Sequence, residues 1–124
     1  MTSFENYIRG ILQQILDSYQ ILNDLKDKPG ELEIIKREIS KINGLIQVIV
    51  NKLDLSKNNS DDFVALLSTG KYFSENYDFF REIETISKLY SDDPNRLKNL
   101  RYTILNALND KKLMEKIESI MSKL

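Results

Sequence analysis

Residues 28–53, KPGELEIIKREISKINGLIQVIVNKL, carry the longest uninterrupted apolar pattern in the chain. Leu32, Ile35, Ile39, Ile42, Ile46, Ile49 and Leu53 recur in steps of three and four without a break, which lines them along one face of a helix. Taken alone, Leu45-Ile46-Gln47-Val48-Ile49-Val50 is rich in residues that favour strands, but it lies inside the longer helical period and is read as helix. Glu31 and Glu33 put negative charge in the first turn, where the helix dipole is positive. Pro29 and Gly30 stand just before it, and the residue preceding a proline avoids the α region, so an upstream helix has to stop here.

Such an upstream helix is predicted. Thr2 followed by Glu5 is a capping-box pattern, and Phe4, Ile8, Ile11, Ile15, Leu22 and Leu25 recur at helical spacing, widened by Leu12, Leu16 and Tyr19. Two helices of about 35 Å each, at about 1.5 Å per residue, joined by a Pro-Gly link fold back as an antiparallel hairpin over residues 2–54.

Downstream the patterning is shorter in range. Residues 55–60 are polar and turn-forming, and Ser60 is placed to cap a helix over 61–69, with Gly70 as its left-handed stop. A further helix is expected over 72–91. Asp93-Pro94 combines an N-cap with proline in the first turn and starts a helix over 94–109 through Leu97, Leu100, Ile104 and Leu108. That stripe loses phase near Asn109-Asp110-Lys111, and Leu113, Ile117, Ile120 and Leu124, flanked by Met114 and Met121, form a last stripe over 111–123, either a kinked continuation or a sixth helix. The expected fold is all-α: one single-domain bundle of five or six helices, covering residues 1–124 and built around the long N-terminal hairpin.

Composition excludes more than it assigns. With 124 residues, 41% hydrophobic and 30% charged, the chain has the make-up of one globular unit. Eighteen Lys and Arg against nineteen Asp and Glu leave a net charge of −1, so no bulk field draws the chain to nucleic acid or an anionic membrane. The start MTSFENYIRGILQQIL carries Glu5 and Arg9 where a signal peptide would be apolar, and no run reaches the roughly 18 to 20 apolar residues of a membrane span. With cysteine absent as well, a soluble cytoplasmic protein is expected. Histidine is also missing, which removes triads and dyads built on imidazole or thiolate and the usual zinc and haem sites. No enzyme, catalytic residue, metal or cofactor is expected.

Candidate binding surfaces remain. Tyr72, Phe73, Tyr77, Phe79 and Phe80 place five of eleven aromatics within nine residues. On one continuous helix they divide into two stripes: Tyr72 and Phe79 with Ile83, Ile86 and Tyr90 as core, and Phe73, Tyr77 and Phe80 as a second face. Ile34, Leu45 and Val48 likewise lie on the side of the second helix away from its main stripe. Each second face is either covered by other helices or offered to a protein partner or a second copy of the chain.

Glu75, Asp78 and Glu82, at i, i+3 and i+7, would align three carboxylates on one helix. Glu75-x-x-Asp78 resembles one half of the metal motif of all-helical MazG-type nucleotide pyrophosphohydrolases, a resemblance that would imply Mg²⁺-dependent phosphohydrolysis. The expected upstream Glu-x-x-Glu partner is missing; Glu115 and Glu118 come later in the chain. Arg96, Lys98, Arg101, Lys111 and Lys112, with Lys116 beyond them, gather basic charge after Pro94 and are the candidates for a nucleic-acid contact. Arg101 falls close in angle to Leu97 and Leu108, so its aliphatic stem is expected to cover the core. The function expected is therefore a non-enzymatic protein-protein interaction module: an adaptor, an inhibitor or immunity-type protein, or a small subunit of a larger assembly, oligomers included. A nucleic-acid or nucleoprotein accessory subunit is the alternative, and a Mg²⁺-dependent phosphohydrolase the remote one.

Overall fold

A computed structural model describes residues 3–56, 60–77, 79–89 and 93–124. Thr2 of the capping box, the centre of the polar loop, Asp78 and Tyr90 lie outside the described residues. Among the described residues the chain is an all-α bundle of α1 (Ser3–Asp24), α2 (Glu31–Leu55), α3 (Asp61–Asn76), α4 (Phe80–Leu89), α5 (Pro94–Asn109) and α6 (Leu113–Lys123), with a 3-10 turn, Asp110–Lys112, between the last two. No described helix is long and apolar enough to cross a membrane.

The N-terminal hairpin is present, and its register is antiparallel. Lys52 near the end of α2 lies over the ring of Tyr7 near the start of α1, and α1 packs more extensively on α2 than on any other element. All seven residues of the α2 stripe are buried, together with Ile8, Ile11, Leu12, Ile15 and Leu22 of α1. The link is built by its own residues. Gly30 takes a φ of 91°, open to glycine at no steric cost, and the Glu31 carboxylate accepts the backbone N–H groups of Lys26 at 3.1 Å and Asp27 at 2.8 Å.

α3 runs back along α2. Ser60 caps it by accepting the Phe63 N–H at 3.3 Å, as its residue type predicts. Gly70, however, does not end the helix. It is buried inside α3, and a Cβ built on it would stand 2.9 Å from Val50 Cγ2. This glycine allows two helices to approach closely; it is not a left-handed stop.

The expected helix over 72–91 is two helices. Tyr72 to Asn76 belong to α3, Tyr77 is extended at φ −125° and ψ 121°, and α4 begins at Phe80. Asn76 is a residue type that competes for backbone hydrogen bonds, and its amide donates to the Tyr72 carbonyl at 2.9 Å, satisfying one of the last carbonyls of α3. Burial explains the break. On one straight helix Phe73 and Phe79 would point about 120° apart, at about 100° per residue, whereas the elbow brings both into the core at 2% and 4% exposure.

α5 begins as expected, with Asp93 Oδ1 accepting from Asn95 and Arg96 N–H. α5 and α6 are separate helices. In a continuous helix Leu113 would lie about 140° from Leu108, at about 100° per residue, so the chain must rephase between them. It does so through Lys111 and Lys112, both left-handed at φ 54° and 58°, a conformation costing roughly 1–2 kcal/mol for a residue with a side chain. Leu113, Met114, Ile117 and Ile120 are thereby buried, and Arg9 Nη1 donates to the Leu124 carbonyl at 3.0 Å.

Candidate interaction surfaces

The elbow between α3 and α4 redistributes the aromatic cluster. Phe73 is core, a correction to its reading as a second face, because the break at Tyr77 removes the shared helix on which it would have stood beside Phe80. Tyr77 is half-buried; it lies against Phe73 at a ring separation of 5.5 Å, stacks on Phe79 at 6.1 Å and meets Tyr72 edge-on at 6.2 Å. Its hydroxyl donates to Asp110 Oδ2 at 2.5 Å, tying the elbow to the α5–α6 corner. That bond favours the protonated phenol and the ionised carboxylate, so Tyr77 is pushed up to about 12 while Asp110 is held below the usual aspartate value. Phe80 faces the other way. It is 59% exposed and stands at the edge of a groove of about 230 Å³ that Asn43, Gln47, Ser74 and Tyr77 also line.

The second side of α2 is partly covered. Leu45 and Val48 are half-buried against the core and Ile34 is half-buried, while Ile46 and Val50 meet α3 at Gly70. The carboxylate row does not form as drawn, because Glu75 ends up on α3 and Glu82 on α4, and a shared helix was the premise of their alignment. Among the described residues no group of three His, Cys, Asp or Glu side chains is placed to hold a metal ion.

The basic candidates divide. Arg101 is buried at 7% exposure and is not a surface contact. Its Nε and Nη2 donate to the two carboxylate oxygens of Asp27 at 2.8 and 2.9 Å, the paired geometry to which a guanidinium is suited. Nη1 reaches the Leu22 and Asn23 carbonyls at the end of α1, at 3.5 and 3.4 Å. This carboxylate partner raises the guanidinium pKa further despite burial. Arg96 and Lys98 are exposed near the start of α5, with Lys98 Nζ 5.6 Å from the centre of the Tyr102 ring. Lys111 and Lys112 are exposed at its far end. About 20 Å of helix, at about 1.5 Å per residue, separates the two groups, so they do not make one continuous basic track.

Asp27 and Asp110 are the structural partners that sequence reading passed over. Arg101 on an apolar stripe signals that a buried counter-charge is needed, since an unpaired buried charge is very costly. Nothing local names a partner 74 residues away. The fold and surfaces together define an all-α bundle organised on a hairpin, with an aromatic elbow and a lysine-lined corner. No protein-family model, curated protein or solved structure matches the chain.

Proposed function

We propose that this chain is a non-enzymatic protein-protein interaction module, an adaptor, inhibitor or immunity-type protein or a small subunit of a larger assembly, and that the α3–α4 elbow is its partner-facing surface. The observation that carries this reading is Phe80: an aromatic ring 59% exposed at the mouth of a groove lined by polar side chains. Rings so placed contribute much of the energy of protein interfaces because they bury large area at little entropic cost. The lack of His and Cys supports a binding role over a catalytic one, and the lack of Cys suits a cytoplasmic setting.

Phe80→Ser tests the surface. The substitution is expected to change stability by less than about 1 kcal/mol, as for an exposed position, while weakening association about tenfold or more. Association is read by light scattering over a dilution series for self-assembly, and by co-purification with the tagged chain for another protein. Unchanged mass and unchanged co-purifying proteins in the variant would remove the elbow as the binding surface. A loss of stability near that of a core aromatic would show that Phe80 packs inside.

A further inference from the structure

Lys111, Lys112 and Lys116 line one cleft of about 480 Å³ with Ser68, Thr69 and Tyr72 of α3. Among the described residues no carboxylate lines it. Elsewhere the lysines of this face are neutralised: Lys71 pairs with Asp54 at 3.4 Å and Lys123 with Asp62 at 3.1 Å. Asp62 and Glu115 line the adjoining depression, which shares Lys112 and Lys116, yet neither comes within ion-pair distance of the three ammonium groups. Asp110 is the nearest acid in sequence; its carboxylate accepts from the Tyr77 hydroxyl and the Lys111 N–H, and the Tyr72 hydroxyl and the charge of Lys111 also act on it, so Lys112 and Lys116 are the cations it leaves to the cleft.

Two of the three ammonium groups are held in place. Lys116 Nζ donates to the Lys111 carbonyl at 2.5 Å, and Lys111 Nζ lies 5.2 Å from the centre of the Tyr72 ring, so the cations stand on both the α6 and α3 sides of the cleft. Lys111 and Lys112 occupy left-handed backbone positions that glycine would fill without strain. Charge is concentrated here in a chain whose net charge is −1.

From this juxtaposition of three lysines with Ser68, Thr69 and Tyr72 around one cleft, we propose that the α5–α6 corner binds a small molecule carrying clustered phosphate groups. Ammonium and hydroxyl donors match phosphoryl oxygens, and lysine binds them as a point charge. The cleft has the volume of a small-molecule site, and the basic track needed by a long polyanion is not continued along α5. The ligand is a short run of phosphoryl groups, as in a nucleoside polyphosphate or inorganic polyphosphate.

Calorimetric titration of the full chain with inorganic tripolyphosphate at low ionic strength tests this. Saturable one-to-one binding that weakens with added salt is expected. The Lys111→Gly/Lys112→Gly variant should bind about tenfold or more weakly while melting no lower than the parent, since glycine relieves the left-handed strain. Lys116→Gln should also lose affinity. Lys98→Ala removes one charge at the far end of α5 and should leave affinity within about twofold, because exposed charges that distant are screened. No saturable binding at millimolar ligand, or an equal loss in Lys98→Ala, would overturn the proposal. A single-stranded oligonucleotide that binds more tightly than tripolyphosphate, with affinity growing with its length, would replace it with a nucleic-acid contact.

Discussion

Asp27 and Arg101 close the tip of the hairpin against α5, with side chains only 14% and 8% exposed. Replacing Asp27 by Ala leaves the guanidinium buried without its counter-ion, which typically costs about 3–5 kcal/mol. A loss of that size is expected in urea denaturation, and Asp27→Ala/Arg101→Met should recover part of it because the uncompensated charge is gone. A loss below about 0.5 kcal/mol, the scale of a solvated surface pair, would show that the pair does not clamp α1 to α5. A second buried charge, Glu38 at 2% exposure, belongs to the hairpin itself. Burial pushes its carboxyl up, but the Arg37 guanidinium at 2.7 Å, the nearby Ser18 hydroxyl and the charge of Lys41 outweigh burial and hold it below the usual glutamate value.

At the scale of elements, the α2–α3 contact depends on a missing side chain. Alanine favours a helix over glycine by about 1 kcal/mol, yet at position 70 its Cβ would meet Val50 Cγ2 at 2.9 Å, and a buried β-branched neighbour has little freedom to move. Overpacking of this kind costs about 1–3 kcal/mol, so Gly70→Ala is expected to lower stability by about 1 kcal/mol net. Gly44→Ala, with open space around its Cβ, should raise it by about 0.5–1 kcal/mol. Thermal melts of the two variants check this, and the reverse order would mean that α3 does not rest on α2 at Gly70.

For the whole molecule, buried residues from all six helices belong to one hydrophobic cluster. Ile42 is fully buried in it. An unpaired charge there costs several kcal/mol against a total stability of about 5–15 kcal/mol, so Ile42→Asp is expected to unfold the chain as one unit. Far-UV circular dichroism at 25 °C should show loss of helix throughout. Retention of about half the native ellipticity would show that the core divides into parts that fold separately.

Elements whose signal is local and long were legible from residue order alone: the hairpin, whose α2 stripe is seven apolar residues in phase, and the starts of α3 and α5, where Ser60 and Asp93 act on N–H groups two or three residues away. A cap or a helical period acts within a few turns of its own chain, so it is legible without knowing the fold. The rest came from packing between distant segments. Whether Gly70 ends a helix or admits a neighbour depends on Val50, twenty positions back. Whether Phe73 faces a partner or the core depends on an elbow that sets the rings of Phe73, Tyr77 and Phe79 against one another. For Arg101, angle alone predicts a stem that covers the core; that its guanidinium is itself buried and paired is visible only once Asp27 is beside it. In each case the deciding energy lies in a contact between residues far apart in the chain, and periodicity carries no record of such contacts.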